Sequence, residues 1–223
     1  MPARSVIALT VVSATMLLSA CGGNATDDPA PQKSQVAQKL TVSSVDAAAE
    51  RIFSGICDGS AAVMLDDDTL LVAYDELNTL FAFPLTGGDY TARFDLDELL
   101  DLPSSAEIDI EAATRVGDRI WWLGSHSLGR EARDVPNRRV LFATTVPSPG
   151  LRGLEILEPP QDLTDVLLAS PAVRAVLNRV VRKRAPKAGG VNIEGLAATP
   201  EGGLLLGFRS PLSAAKGLKG KAM

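Results

Sequence analysis

Asp109-Ile110-Glu111-Ala112-Ala113-Thr114-Arg115-Val116-Gly117-Asp118-Arg119-Ile120-Trp121-Trp122-Leu123-Gly124-Ser125-His126 reads as a strand, a turn and a second strand. Ile120 to Leu123 is an unbroken apolar run bounded by turn residues, the pattern of a buried strand. Gly117-Asp118 supplies the φ values that a tight turn needs. The same design occurs twice more without a gap, starting at Asp58-Gly59-Ser60-Ala61-Ala62 and at Asn192-Ile193-Glu194-Gly195-Leu196. Its second strands are Thr69 to Ala73 and Leu204 to Leu206, and its turns are Asp66-Asp67-Asp68 and Pro200-Glu201-Gly202-Gly203. An in-register repeat at long spacing marks a repeated supersecondary unit, here a strand–turn–strand hairpin.

Each hairpin carries polar residues at its open end. In an antiparallel hairpin centred on the turn, Ser60 faces Asp75, Glu111 faces His126 and Glu194 faces Arg209. Opposite charges directly across a pair of strands attract. Residues two apart on a strand share a face, so Asp109 goes with Glu111 and Asn192 with Glu194. If the units are arranged radially, these ends gather on one rim. The expected fold is mainly β: a partial β-propeller of antiparallel strand–turn–strand units with one helical insertion at about residues 162–184. In that insertion Val173, Val176, Leu177, Val180 and Val181 keep helical spacing, and Ser170-Pro171 is a cap followed by a proline at the first helical position.

The chain divides into a leader (1–20), a flexible tether (21–45), a propeller-like domain (46–212) and a basic tail (213–223) without strand pattern. Arg4 precedes an apolar run from Val6 to Leu18 that is short for a membrane span. Leu18-Ser19-Ala20-Cys21-Gly22 resembles a bacterial lipoprotein signal box. That resemblance implies cleavage before Cys21 and lipidation of its sulfur. The expected location is the cell envelope, on the outer membrane facing the periplasm. The membrane is then a partner through the lipid on Cys21. Lipidation leaves Cys57 without a disulfide partner, and it is expected to be a small buried hydrophobe. A net charge of −5 argues against nucleic acid as a partner.

The inventory restricts the chemistry. A single histidine, His126, excludes a zinc or iron site with two histidines. A metal would have to be a hard cation held by oxygens, Ca²⁺ or Mg²⁺. Its candidate ligands are Asp58, Asp109, Glu111, Asn192 and Glu194, with Asp75 and Glu76 close in sequence to the first unit. His126 is the candidate acid or base. Arg138, Arg139 and Arg209 are candidates for a small ligand bearing phosphate or carboxylate. No Gly-x-Ser-x-Gly elbow, phosphate loop or dinucleotide fingerprint occurs. Two readings follow: a cation-dependent esterase or phosphoesterase using a carboxylate-lined rim, or a non-enzymatic binding or scaffold protein of the envelope.

Glu107-Ile108-Asp109-Ile110-Glu111, Trp122-Leu123-Gly124-Ser125-His126, Pro136-Asn137-Arg138-Arg139 and Gly190-Val191-Asn192-Ile193-Glu194-Gly195 make a specific motif set. It resembles an uncharacterised bacterial family, domain of unknown function 3616, related to esterase-like and phytase-like propeller proteins. The resemblance runs from about Gly55 to Leu212. It implies a secreted or lipid-anchored β-propeller and no established activity. The tail departs from that pattern, and the chain reads as truncated or frameshifted there, an inactive fragment being the third reading.

Overall fold

The computed structural model describes residues 51–74, 77–103, 106–147, 153–183, 185, 189–213 and 221–222. The leader, Cys21, the tether, Asp75 and Glu76 lie outside the described residues. The chain enters with β1 (Phe53–Ser54), then builds a first antiparallel sheet from β2 (Gly59–Met64), β3 (Thr69–Tyr74) and β4 (Thr79–Pro84). β5 (Gly88–Asp89) pairs in parallel with β1, and β6 (Ala92–Asp95) completes the first sheet beside β4. After the helical turn α1 (Leu96–Leu99) comes a second sheet, β7 (Ile110–Val116), β8 (Arg119–Gly124), β9 (Leu141–Thr145) and β10 (Ile156–Gln161), paired in that order. The helices α2 (Thr164–Ala169) and α3 (Pro171–Leu177) lead to a two-stranded sheet, β11 (Asn192–Ala198) with β12 (Leu204–Ser210). Finally β13 (Leu212–Ser213) pairs with β14 (Lys221–Ala222), so the basic tail does contribute a strand. Two backbone pairs need no side-chain pattern, which is why none was legible there.

Each sheet starts from the strand that opens one repeat. β2 packs beside β7, and β7 beside β11, with the later strands of each sheet running outward. This is the expected arrangement: mainly β, with antiparallel sheets set like the blades of a partial propeller. β8 explains the greasy run in its sequence. Ile120 and Trp122 bury into a core shared with Leu71, Leu80 and Ile108, while Trp121 and Leu123 bury into a second core with Ile193, Leu167 and Phe208. A strand covered on both faces has no polar side to show, so alternation disappears.

The repeat also fixes a defect. In the first hairpin Gly59 pairs with Tyr74 but Ala61 with Ala73, so Ser60 is the extra residue of a bulge. In the second, Ile110 pairs with Gly124 and Ala112 with Leu123, leaving Glu111 extra. In the third, Ile193 pairs with Phe208 and Gly195 with Gly207, leaving Glu194 extra. The polar position of the repeat is thus a β-bulge in every unit. Bulges re-aim side chains and recur next to functional sites.

The single expected helix is two short ones. Pro171 lacks an amide hydrogen and restricts its predecessor, and Ser170 is extended at φ −73, ψ 120, which breaks the run. Leu167 and Leu177 hold the pair on the second core. Asp162 forms an Asx turn ahead of α2, its Oδ1 accepting the Thr164 amide at 2.8 Å. Cys57 corrects another expectation: it is exposed, because it sits in the loop between β1 and β2 and not on a strand face.

Candidate functional site

The segment that leaves β8 at Gly124 remains trapped between its neighbours. Ser125 N–H donates to Asp109 O, His126 N–H to Arg138 O, and Ile193 N–H to Ser125 O, each at 2.9 Å. Gly124 is required at the start of this path. An added Cβ would stand 2.5 Å from Arg138 O and 2.8 Å from Ile108 O, both backbone atoms. Gly124→Ala is therefore expected to destabilise by about 1–3 kcal/mol, the range for overpacking. Urea unfolding followed by tryptophan fluorescence checks this, and a cost below about 0.5 kcal/mol, the scale of neutral surface changes, would contradict the close approach.

Ser125 to Leu128 and Arg138-Arg139 form a partition with two faces. One face is polar and points to the starts of β7 and β11. Ser125 Oγ lies 2.5 Å from Asp109 Oδ2 and 2.9 Å from Ser127 Oγ. Arg138 Nη1 donates to Ser127 Oγ at 3.0 Å and lies 3.2 Å from Asp109 Oδ2, while Nη2 donates to Glu107 Oε1 at 2.6 Å. The charge of Glu111 acts on both Arg138 and Arg209. Next along, Asn192 Nδ2 and Arg209 Nη1 both donate to Glu194 Oε1, at 3.0 and 2.5 Å. Glu194 and Arg209 are therefore side by side as the repeat predicts. A second bulge, at Arg209, restores the register that the bulge at Glu194 shifts. Their side chains are 31% and 54% exposed, so Glu194→Ala is expected to lower stability by no more than about 1 kcal/mol in a thermal or urea melt.

The second expected pair does not form. The hairpin of β7 and β8 has one bulge and no compensating one, and His126 lies past its end in the left-handed region, at φ +57. This turn carries His126 away from Glu111, to the other face of the partition. There it lines a cavity of about 560 Å³ with Leu128, Arg139, Asp134, Asp162 and Leu177, walled by α2, α3 and Val191. Arg139 is held by two carboxylates, Nε donating to Asp162 Oδ2 at 2.8 Å and Nη1 to Asp134 Oδ1. Burial alone would raise the Asp162 carboxyl, but the Arg139 and Thr164 hydrogen bonds hold it below its ordinary value.

The imidazole is buried, with Nδ1 2.8 Å from the Gly124 carbonyl and Nε2 without a partner among the described residues. Burial pushes its pKa down to about 4; the Gly124 carbonyl and Asp162 oppose the shift, and Arg139 adds to it. Desolvation thus outweighs the attraction of the nearby Asp162 carboxylate. The linkage follows. Unfolded His126 takes up its proton near pH 6.5 and folded His126 only near pH 4, so its contribution is complete above about 6.5 and is lost as pH falls toward 4. Over that window the loss approaches about 3 kcal/mol. His126→Asn should flatten the slope of unfolding free energy against pH between 4 and 6.5; an unchanged slope would refute the assignment.

The candidate metal ligands are not brought together. Among the described residues no three His, Cys, Asp or Glu side chains are grouped to hold a cation. Asp58 is exposed, Asp109 is bound by Ser125 and Arg138, and Glu194 by Asn192 and Arg209. Arg138, Arg139 and Arg209, expected to clamp an anion, each already hold a carboxylate. The residues that sequence reasoning missed are Asp162, Leu167 and Leu177, which bring the helical insertion to His126. The Asp162-x-Thr164 turn was the available signal.

Residues 59–140 match the family model described as Protein of unknown function (DUF3616). The matched stretch carries the first two hairpins, the polar face of Asp109, Ser125 and Arg138, and His126 with Arg139. Asn192, Glu194, α2 and α3 lie beyond it. No curated protein and no solved structure matches the chain.

Proposed function

We propose that this chain is a small-molecule binding module of the bacterial envelope, anchored by lipid on Cys21 to the outer membrane and facing the periplasm. The observation that carries the binding reading is the cavity at His126. It joins a largely apolar wall to the polar side chains of Arg139, Asp134 and Asp162, the combination of shape and convergent polarity that ligand sites have. The hydrolase alternative, suggested by the likeness to esterase-like propellers, needs a cation and a base acting on one water. His126 and the carboxylates Asp109 and Glu194 occupy different faces of the partition, which favours binding over that chemistry.

A screen of mixed small fragments by saturation-transfer NMR tests the cavity. Hits are expected with the wild-type chain and should disappear in Val181→Trp, which places a large ring in the cavity wall. Hits that survive the substitution would place binding elsewhere. Added Ca²⁺ or Mg²⁺ is expected to leave the melting temperature unchanged, since a ligand bound only by the folded state must raise it. A rise that is lost in Glu111→Ala and Glu194→Ala would restore the cation-dependent reading. Anchoring has its own test: Cys21→Ser should leave an unprocessed precursor or release the protein from the membrane fraction.

A further inference from the structure

We propose that the turn following α3 docks on the anionic phospholipid surface of the membrane, through Arg179, Arg182 and Lys183. The sequence sets this segment apart. Val166 to Ile193 holds six basic residues, Arg174, Arg179, Arg182, Lys183, Arg184 and Lys187, and no acidic one, although the whole chain carries −5. The remainder is therefore more acidic than the whole, and an anionic surface repels it while attracting this segment. Such an asymmetry orients a protein as well as holding it.

The fold puts the charge on one side. Past Leu177 the backbone keeps turning, with Val181 N–H donating to Leu177 O and Lys183 N–H to Val180 O, both at 2.8 Å. Val180 and Val181 pack with Leu177 on the second core. Arg179, Arg182 and Lys183 keep the spacing of one helical face, and all three are exposed. The simpler duties of a basic helix end do not occupy them. Arg174 is the cation that reaches back to the end of α2, Nε donating to Leu168 O and Nη2 to Ala169 O. Arg182 and Lys183 stand more than a turn past the end of α3, beyond the reach of its dipole. Among the described residues Arg179, Arg182 and Lys183 form no ion pair, whereas Arg119, Arg138, Arg139 and Arg209 each hold a carboxylate. Arg182 also lines the cavity, where Asp134 and Asp162 are already held by Arg139. Guanidinium and ammonium groups left in this way suit the phosphates of lipid head groups. The choice of partner rests on the anchored reading above. A chain tied to a bilayer at Cys21 meets its lipids at high effective concentration, so contacts that are weak one by one suffice.

The full chain, made without lipid on Cys21, separates this contact from anchoring. Its partition is read by sedimentation with vesicles of phosphatidylcholine alone and of an equal mixture with phosphatidylglycerol. The apolar leader is common to every chain compared, so the preference for the anionic vesicles is the quantity that matters. The wild-type chain should prefer the mixture, less so as salt rises. Arg179→Gln with Arg182→Gln and Lys183→Gln should weaken binding to the mixture about a hundredfold, roughly fivefold per charge. Arg51→Gln with Arg93→Gln and Arg133→Gln removes as much charge from other exposed positions and should keep the preference. Hydrogen exchange needs no variant: anionic vesicles should slow the amides of Val180, Val181 and Lys183 in the wild-type chain. No preference in the wild type, an equal loss in the two triple variants, or amides that are not slowed there overturns this inference and leaves the anchored reading standing. The anchored reading fails separately, through the Cys21→Ser test.

Discussion

Asp109→Ala is expected to lower the stability of the folded chain by about 3–5 kcal/mol, the range for breaking one side of a buried ion pair. The side chains of Asp109 and Arg138 are only 15% and 16% exposed, so water cannot replace what the substitution removes. One carboxylate oxygen, Oδ2, receives the Ser125 hydroxyl at 2.5 Å and lies 3.2 Å from Arg138 Nη1. Without it the guanidinium keeps the charge of Glu111 and the pair with Glu107, whose side chain is 46% exposed and well hydrated, and loses the buried carboxylate beside it. The backbone adds to the effect. Asp109 sits at φ +55, a conformation that Asp and Asn tolerate through local hydrogen bonding and alanine does not. Asp109→Asn should therefore fall between wild type and alanine, keeping the backbone and one acceptor while losing the charge. Urea unfolding of the two variants decides the point. A loss below about 1 kcal/mol for alanine, the size of an exposed pair, would mean that the cluster is solvated and does not brace the partition. Since a domain's whole stability is about 5–15 kcal/mol, the alanine variant should lose a large share of it.

The repeat made the hairpins and their order legible, because turn residues and apolar runs are local signals. It placed Glu194 beside Arg209 correctly, although the register reached that outcome through two compensating bulges. The same spacing placed Glu111 opposite His126 and failed. A bulge inserts one residue, and a single uncompensated insertion shifts every later position to the other face. Nothing in the spacing distinguishes one bulge from two. The arginines were visible as charge, but their partners were not, since Arg138 reaches Glu107 across 31 positions and Arg139 reaches Asp162 across 23. Such pairings are set by how the second sheet and the helices pack. The cavity was illegible for the same reason: its walls come from a loop, two helices and Val191 just before β11, and it exists only once these are assembled. The burial of His126 was illegible too, because Ser125, Ser127 and the charged residues that follow give its surroundings a polar look in sequence.

Trp122→Ala should be the most damaging substitution in the core, at about 3–5 kcal/mol. Trp122 is fully buried between the first two sheets, with Leu71, Leu80, Ile108 and Phe142 in the same core. Removing an indole there opens a void that two facing sheets cannot close, because each is fixed by its own ladder. The ring also has a polar duty. Its Nε1 donates to Thr144 Oγ1 at 3.0 Å, and Thr144 is itself fully buried. Trp122→Phe separates the two contributions, retaining most of the ring while leaving the Thr144 hydroxyl without that donor. An unsatisfied buried group costs about 1–3 kcal/mol, whereas replacing both partners by apolar groups is close to neutral. The double substitution Trp122→Phe with Thr144→Val should therefore be more stable than the sum of the single losses predicts, a coupling that a double-mutant cycle in urea reads directly. Strict additivity would show that the hydroxyl finds another partner. The indole would then matter only as volume, and the cost of Trp122→Phe should fall to that of the lost ring atoms.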